Sequence, residues 1–275
     1  NGKTHAPGLK MSLSETIPMG HYLLLAHARA YRAMKFCGFD DLQVGIAQQG
    51  SFFCPASSRP EDIEAARAVT FDRLDYSWYG SVSWWNDPLF FGRYPADGIR
   101  KYGQYLPRGW QEDAAEMQGT LDFLGQNFYD CTLYSAKNGM ENPPDGSMRN
   151  SAGWNVTPDG IGGALRFLYE RYHMPILITE NGMCCHDWVA LDGSVHDPNR
   201  VDFIRRYLRS VHAAMQDGVP VLGYFYWSLM DNFEWTLGYS ERFGLIFVDY
   251  PTQKRTIKDS GLWYRETIES NGQNL

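Results

Sequence analysis

Pro175-Ile-Leu-Ile-Thr-Glu-Asn-Gly182 decides the fold class of this chain. Its first five residues form an apolar, β-branched run that is too short for a helix and suits a strand buried on both faces. A carboxylate follows directly, where burial is costly unless the group is paired or hydrogen-bonded, and the nearby Gly permits a tight turn. A helical segment lies on either side. Thr157-Pro158 upstream and Asp197-Pro198 downstream each place a capping residue before a Pro at the first helical position. In the downstream helix Val201, Ile204, Leu208, Val211 and Met215 mark one apolar stripe. Helix, strand and helix in this order form the pattern of parallel βα units, an α/β architecture.

Three more short apolar runs, 42–47, 121–129 and 221–227, read as strands of the same kind, which makes four. Helices are expected over 14–35, with Leu23, Ala26, Ala30 and Ala33 at spacings of three and four, and over 61–78. Between Trp84 and Gln118 runs an aromatic, Gly/Pro-punctuated stretch that carries too much apolar surface to stay solvated, so it should pack as a structured loop with short helices. No repeat or charge block divides residues 1–275, and a single domain is the simplest organisation. The 275 residues would fit one α/β barrel of roughly 250 residues or two smaller domains.

The balance of 25 basic and 32 acidic residues, net −7, offers no basic surface for nucleic acid or an acidic membrane. No eighteen apolar residues run together, and no membrane segment is expected. The five cysteines, Cys37, Cys54, Cys131, Cys184 and Cys185, read as reduced thiols of a cytoplasmic protein, because a chain of this size seldom needs disulfides. Adjacent Cys184, Cys185 and His186 lack a spaced second pair and make a poor tetrahedral set, so no metal is expected. Gly160, Gly162 and Gly163 do not complete a dinucleotide fingerprint, and no organic cofactor is expected either.

In a parallel sheet the ligand site lies at the carboxyl ends of the strands. Those ends carry Asn127 and Tyr129 after one run, Glu180 after the next, and Trp227, Asp231, Glu234 and Trp235 after the last. From chemistry alone Glu180 is a reactive carboxylate or a helix-capping or salt-bridged one, Tyr129 is a donor to it or a core tyrosine, and Asn127 is a ligand or a turn asparagine. The 15% share of aromatic residues suits stacking on flat apolar faces, sugars included, and core packing equally.

Ile178-Thr-Glu-Asn-Gly182, Gly223-Tyr-Phe-Tyr-Trp-Ser-Leu-Met-Asp-Asn-Phe-Glu-Trp235 and Gly238-Tyr-Ser-Glu-Arg-Phe-Gly244 closely resemble family 1 glycoside hydrolases of the β-glucosidase type. Thr4-His-Ala-Pro-Gly8, Asp87-Pro88, Gly92-Arg-Tyr-Pro95, Asp122-Phe-Leu-Gly125, Gly153-Trp154 and Val195-His-Asp-Pro198 fall in the family's order and approximate spacing. The resemblance implies a (β/α)8 TIM barrel of which this chain supplies strands five to eight. It implies a retaining β-glycosidase in which Glu180 is the nucleophile and Tyr129 donates to its carboxylate. Asn127 would reach toward the nucleophile and the sugar 2-hydroxyl. Glu234 and Trp235 would bind hydroxyls at the far side of the nonreducing sugar, Trp227 would floor its apolar face, and Phe243 would flank the site. A carboxylate at Glu234 would repel a 6-phosphate, which points to a non-phosphorylated β-glucoside or β-galactoside.

The family's acid/base glutamate belongs to an Asn-Glu-Pro motif that does not occur here; Glu141-Asn142-Pro143 has another order. The resemblance therefore implies a chain that begins just after that motif, and the start at Asn1, inside a Gly/Pro loop, reads as a cut. The expected partner is the amino-terminal half of the barrel, attached or supplied by a complementing chain, because a half-barrel exposes sheet edges and an apolar inner layer. Two alternatives stand beside hydrolysis: a noncatalytic sugar-binding or structural piece, and a transglycosylase on the same scaffold.

Overall fold

The computed structural model describes residues 5, 8–39, 41–72 and 78–275. In chain order the elements are α1 (Leu13–Phe36), β1 (Gly45–Gln49), β2 (Phe52–Pro55), α2 (Pro60–Asp72), α3 (Val82–Phe91), α4 (Ala96–Tyr102) and α5 (Trp110–Met117). Then come β3 (Phe123–Asn127), β4 (Cys131–Ser135), β5 (Gly139–Glu141), α6 (Pro158–Tyr172), β6 (Ile176–Asn181), α7 (Pro198–Gln216), β7 (Val221–Tyr226), β8 (Ile246–Val248), β9 (Arg255–Ile257) and α8 (Asp259–Glu269).

β1, β3, β6 and β7 form one sheet in that order, every pair parallel, and each overlaps one of the four expected runs, β1 starting three residues later than expected and running two beyond it. A parallel register puts all four carboxyl ends at one edge. Asn127 lies opposite Glu180, and Asn181 lies opposite Tyr226. Helices α6 and α7 bury Leu165, Leu168, Phe203 and Ile204 against Leu124, Ile176 and Ile178 of the sheet. Tyr207 is fully buried there, its ring stacked on Phe203 at 4.0 Å.

The stretch from Trp84 to Gln118 folds as expected, into α3, α4 and α5 joined by short turns. Its Trp84, Leu89, Tyr94 and Met117 form a second apolar cluster with Ile17, Leu24 and Ala28 of α1. The expected stripe on α1 is displaced: Leu23 is exposed while Leu24, Leu25 and the polar His21 are buried. His21 is tolerated because its two ring nitrogens meet Tyr94 Oη at 3.0 Å and Asp113 Oδ2 at 3.1 Å. The stripe on α7 holds at Ile204, Leu208 and Val211, which are buried or packed on the core, but the buried face is wider, with Phe203, Tyr207 and even Arg200 inside and Met215 exposed. The end of the expected helix over 61–78 includes residues 73–77, which lie outside the described residues; α2 is described over Pro60–Asp72. Of Thr4-His-Ala-Pro-Gly8, only His5 and Gly8 are described.

Five strands went beyond the four read from sequence. β2 and β4 pair in parallel and β5 returns antiparallel, which makes a small sheet just past the ends of β1 and β3. β8 and β9 form an antiparallel ribbon. The expectation of five free thiols is also corrected. Cys54 of β2 and Cys131 of β4 are paired as a disulfide with their Cα atoms 5.9 Å apart, which the neighbouring strands make possible. Cys37, Cys184 and Cys185 remain free. No helix among the described residues is long and apolar enough to cross a membrane.

Candidate active site

Glu180 ends the apolar run of β6, and its backbone is held on both sides. Phe128 N–H donates to the Glu180 carbonyl at 2.8 Å, and Trp227 N–H donates to the Asn181 carbonyl at 2.9 Å. The Asn181 side chain donates to the Phe128 carbonyl at 2.7 Å and accepts from Tyr224 Oη at 2.6 Å. Gly182 then passes so close to the end of β7 that a Cβ there would lie 1.8 Å from the Trp227 carbonyl oxygen. The Gly that suggested a tight turn is thus required by a backbone crossing.

Tyr129 follows β3 and donates its hydroxyl to Glu180 Oε2 at 2.6 Å. Burial, and then the Glu180 charge, hold the phenol well above its ordinary range, so it stays a donor. Asn127 is adjacent in register, but its side-chain oxygen accepts from Thr179 Oγ1 at 2.6 Å, which orients the amide; no bond to Glu180 is made. Trp227, at the end of β7, donates Nε1–H to Glu234 Oε2 at 3.4 Å. Burial raises the Glu234 carboxyl above its ordinary value; the Glu180 charge adds to this, and the Trp227 bond opposes it. Tyr129, Glu180 and Trp227, with Glu234 bonded to Trp227, thus stand at the carboxyl ends of three adjacent parallel strands.

Phe243 is buried and stands edge-on to Tyr129, with ring centres 6.3 Å apart. Trp154 completes this wall, 5.8 Å from both Tyr129 and Phe243. Its contact role was not legible beforehand; the only signal was its place in Gly153-Trp154 within a loop between strands. Trp235 stands apart from the other predicted residues. It is 64% exposed, with its ring 6.3 Å from His5. The structure therefore gathers Glu180, Tyr129, Asn127, Trp227, Glu234 and Phe243 at one edge of the sheet and leaves Trp235 on its rim.

This edge has two carboxylates and an aromatic wall, an arrangement suited to a polar ring with apolar faces. Metal chemistry has no candidate among the described residues, where no three His, Cys, Asp or Glu side chains are grouped to hold an ion. Cys184 and Cys185, just past the turn, are pushed up to about 11 and about 12, chiefly by burial, and stay protonated at neutral pH.

Comparison with known proteins places the chain in a family. The profile of glycosyl hydrolase family 1 matches residues 1–273. The 1,4-beta-D-glucan glucohydrolase of Thermotoga neapolitana is 39% identical over 98% of this chain and 60% of its own. Beta-glucosidase A of Acetivibrio thermocellus is 36% identical over 98% and 60%. The beta-glucosidase of Thermotoga maritima solved in complex with glucoimidazole superposes with a TM-score of 0.84 at 37% identity, again over 98% of this chain and 60% of the other. The chain thus spans about 60% of the length of the relatives it matches, and its four parallel strands are part of their TIM barrel. With a profile matched almost from end to end and relatives well above the identity at which family membership is in question, this chain belongs to glycosyl hydrolase family 1.

Proposed function

We propose that the protein containing this chain hydrolyses terminal, non-phosphorylated β-D-glucosides or β-D-galactosides with net retention of anomeric configuration. The observation that carries this reading is the 2.6 Å bond from Tyr129 to Glu180, at a strand end shared with Glu234 and Trp227. Glu180 attacks the anomeric carbon, and the bond to the leaving oxygen breaks as that oxygen takes a proton from a second carboxylic acid. Water then attacks the glycosyl ester, gives its proton to that same group and frees Glu180. Tyr129 orients Glu180 throughout. Trp227 and Phe243 flank the sugar, Asn127 reaches its 2-hydroxyl, and Glu234 and Trp235 bind the hydroxyls farthest from the scissile bond.

The second carboxyl group has to stand roughly 5 to 5.5 Å from Glu180 in a retaining enzyme. No Asn-Glu-Pro occurs in this chain, and we assign that group to the remaining strands of the barrel. Those strands would also cover large apolar side chains that stand open on and just after β7, Leu222 and Phe225 at 57% and 59% exposure and Leu229 at 64%. The relatives' names, beta-glucosidase and glucan glucohydrolase, support the substrate class. Glu234 supports the preference against 6-phosphorylated sugars, because its charge would meet a phosphate in a partly buried site.

Proton NMR of the native protein acting on an aryl β-glucoside tests this. The first-formed free glucose should be the β anomer, and the 6-phosphorylated glucoside should react with a kcat/KM about 100-fold lower or worse, a ratio worth roughly 2.7 kcal/mol of transition-state binding. First formation of the α anomer, or preference for the phosphorylated sugar, would overturn the proposal.

A further inference from the structure

Six ionic side chains form an unbroken chain behind the site, buried except at its partly exposed end, Arg242. Arg200 meets Asp197, and also Asp187 at 2.7 Å; Lys258 meets Asp187 at 2.6 Å and Asp231 at 2.8 Å; Arg242 meets Asp231 at 2.6 Å. Lys258, Arg200, Asp197 and Asp231 are fully buried, and Asp187 is nearly so. Three cations balance three carboxylates, the condition under which buried charge is tolerated. Stability alone is a weak reason for such a chain, since well-packed apolar side chains often serve as well.

Its contacts connect two parts of the site. Arg200 Nε–H donates to the carbonyl of Met183 in the turn after Glu180, and Arg200 also donates to the Arg242 carbonyl at 2.8 Å, next to Phe243. Cys185 N–H reaches that same Arg242 carbonyl at 3.1 Å. Asp231, three residues before Glu234, has both oxygens saturated: Oδ1 by Lys258 and Gly244 N–H, Oδ2 by Arg242 and Val248 N–H. Lys258 thus joins the segment that follows Glu180 to the segment that carries Glu234.

We propose that Lys258 is a positioning residue: through Asp187 and Asp231 it holds the Glu180 turn and the Glu234 loop in fixed register, so that both carboxylates act on one sugar. The inference rests on the function proposed above. Removing the ammonium should release the Glu234 loop while leaving Glu180 on its strand, with Tyr129 still donating to it. The cost should therefore fall on substrates whose outer hydroxyls depend on Glu234.

The test compares an aryl β-glucoside with the aryl β-xyloside, the same ring without its hydroxymethyl group, using the native protein and its Lys258→Met and Lys258→Arg variants. In Lys258→Met the glucoside should lose about 30-fold in kcat/KM, mostly through KM, and the xyloside less than about 5-fold. Lys258→Arg should restore most of the wild-type ratio between the two sugars. The double variant Lys258→Met with Asp231→Asn keeps the buried charge balanced and should repeat the selective loss if the single variant does not fold. Equal losses on both sugars, or an unchanged ratio, would contradict the inference, as would failure of every variant to fold, which would make Lys258 a residue of the fold alone. A wild-type protein with no activity on either sugar would overturn the functional reading itself, and this inference with it.

Discussion

Replacing Glu180 by glutamine is expected to lower kcat of the native protein on an aryl β-glucoside about 10,000-fold or more, the scale on which loss of a covalent nucleophile is felt. Glutamine keeps the size of the side chain and an oxygen that can accept from Tyr129 Oη, so the 2.6 Å contact and the local fold should survive. What disappears is the charge. An amide oxygen is a feeble nucleophile toward an anomeric carbon, so under the proposed mechanism the variant can no longer form the glycosyl ester. The companion variant Glu180→Gly leaves space at the end of β6 for a small anion. With added azide it should turn over an activated β-glucoside and release the α-configured glycosyl azide, because the anion attacks from the face that Glu180 occupied. Residual activity above about 1% in Glu180→Gln, or a β-configured azide product, would place the nucleophile elsewhere.

The second large effect is structural. Gly182→Ala should cost about 4 kcal/mol or more, at the extreme end of single substitutions. The added methyl would lie 1.8 Å from the Trp227 carbonyl oxygen and 2.9 Å from its carbon, and both belong to backbone that cannot swing aside. Relief requires that the Glu180 turn and the end of β7 part, breaking the Trp227 N–H to Asn181 bond and separating Glu180 from Glu234. Thermal denaturation should show a Tm lower by about 10 °C, with activity lost even in the fraction that remains folded. Gly163→Ala in α6 is the control, since a Cβ there meets nothing within 4 Å and alanine favours the helix by up to about 1 kcal/mol. Equal melting temperatures for the two variants would show that the crossing at Gly182 is looser than described.

The four-strand sheet was legible because each strand is a short apolar run set between helical segments, and a parallel sheet needs little more than that. Thr157 and Asp197 do stand at the N-cap positions of α6 and α7, but their side chains bond Cys131 and Ser260 and make no cap bond. Phe52-Phe-Cys-Pro and the three-residue strands β5, β8 and β9 were not, because runs of three or four residues carry no readable period. The buried face of α7 was read too narrowly because Arg200 looks like a solvent-facing residue. It is buried only because Asp187 and Asp197 arrive to pair with it. In the same way His21 hid the true face of α1. At the site, Glu180 announced itself by the cost of a carboxylate after five apolar or β-branched residues, and Tyr129, Asn127 and Glu234 followed from their places at strand ends or from family resemblance. Trp154 and the chain through Lys258 depend on three-dimensional packing between segments far apart in sequence, which no local pattern encodes.

A 2-deoxy-2-fluoro-β-glucoside with a dinitrophenolate leaving group tests the central claim most directly. Its departure needs no acid catalyst, and the fluorine slows hydrolysis of the ester, so the reaction reports on the nucleophile alone. After incubation with the native protein and proteolysis, mass spectrometry should find one fluoroglucosyl group, on Glu180, in the peptide containing Ile178-Thr-Glu-Asn-Gly182. An adduct on Glu234 or another carboxylate, or an active protein that acquires none, would contradict the account.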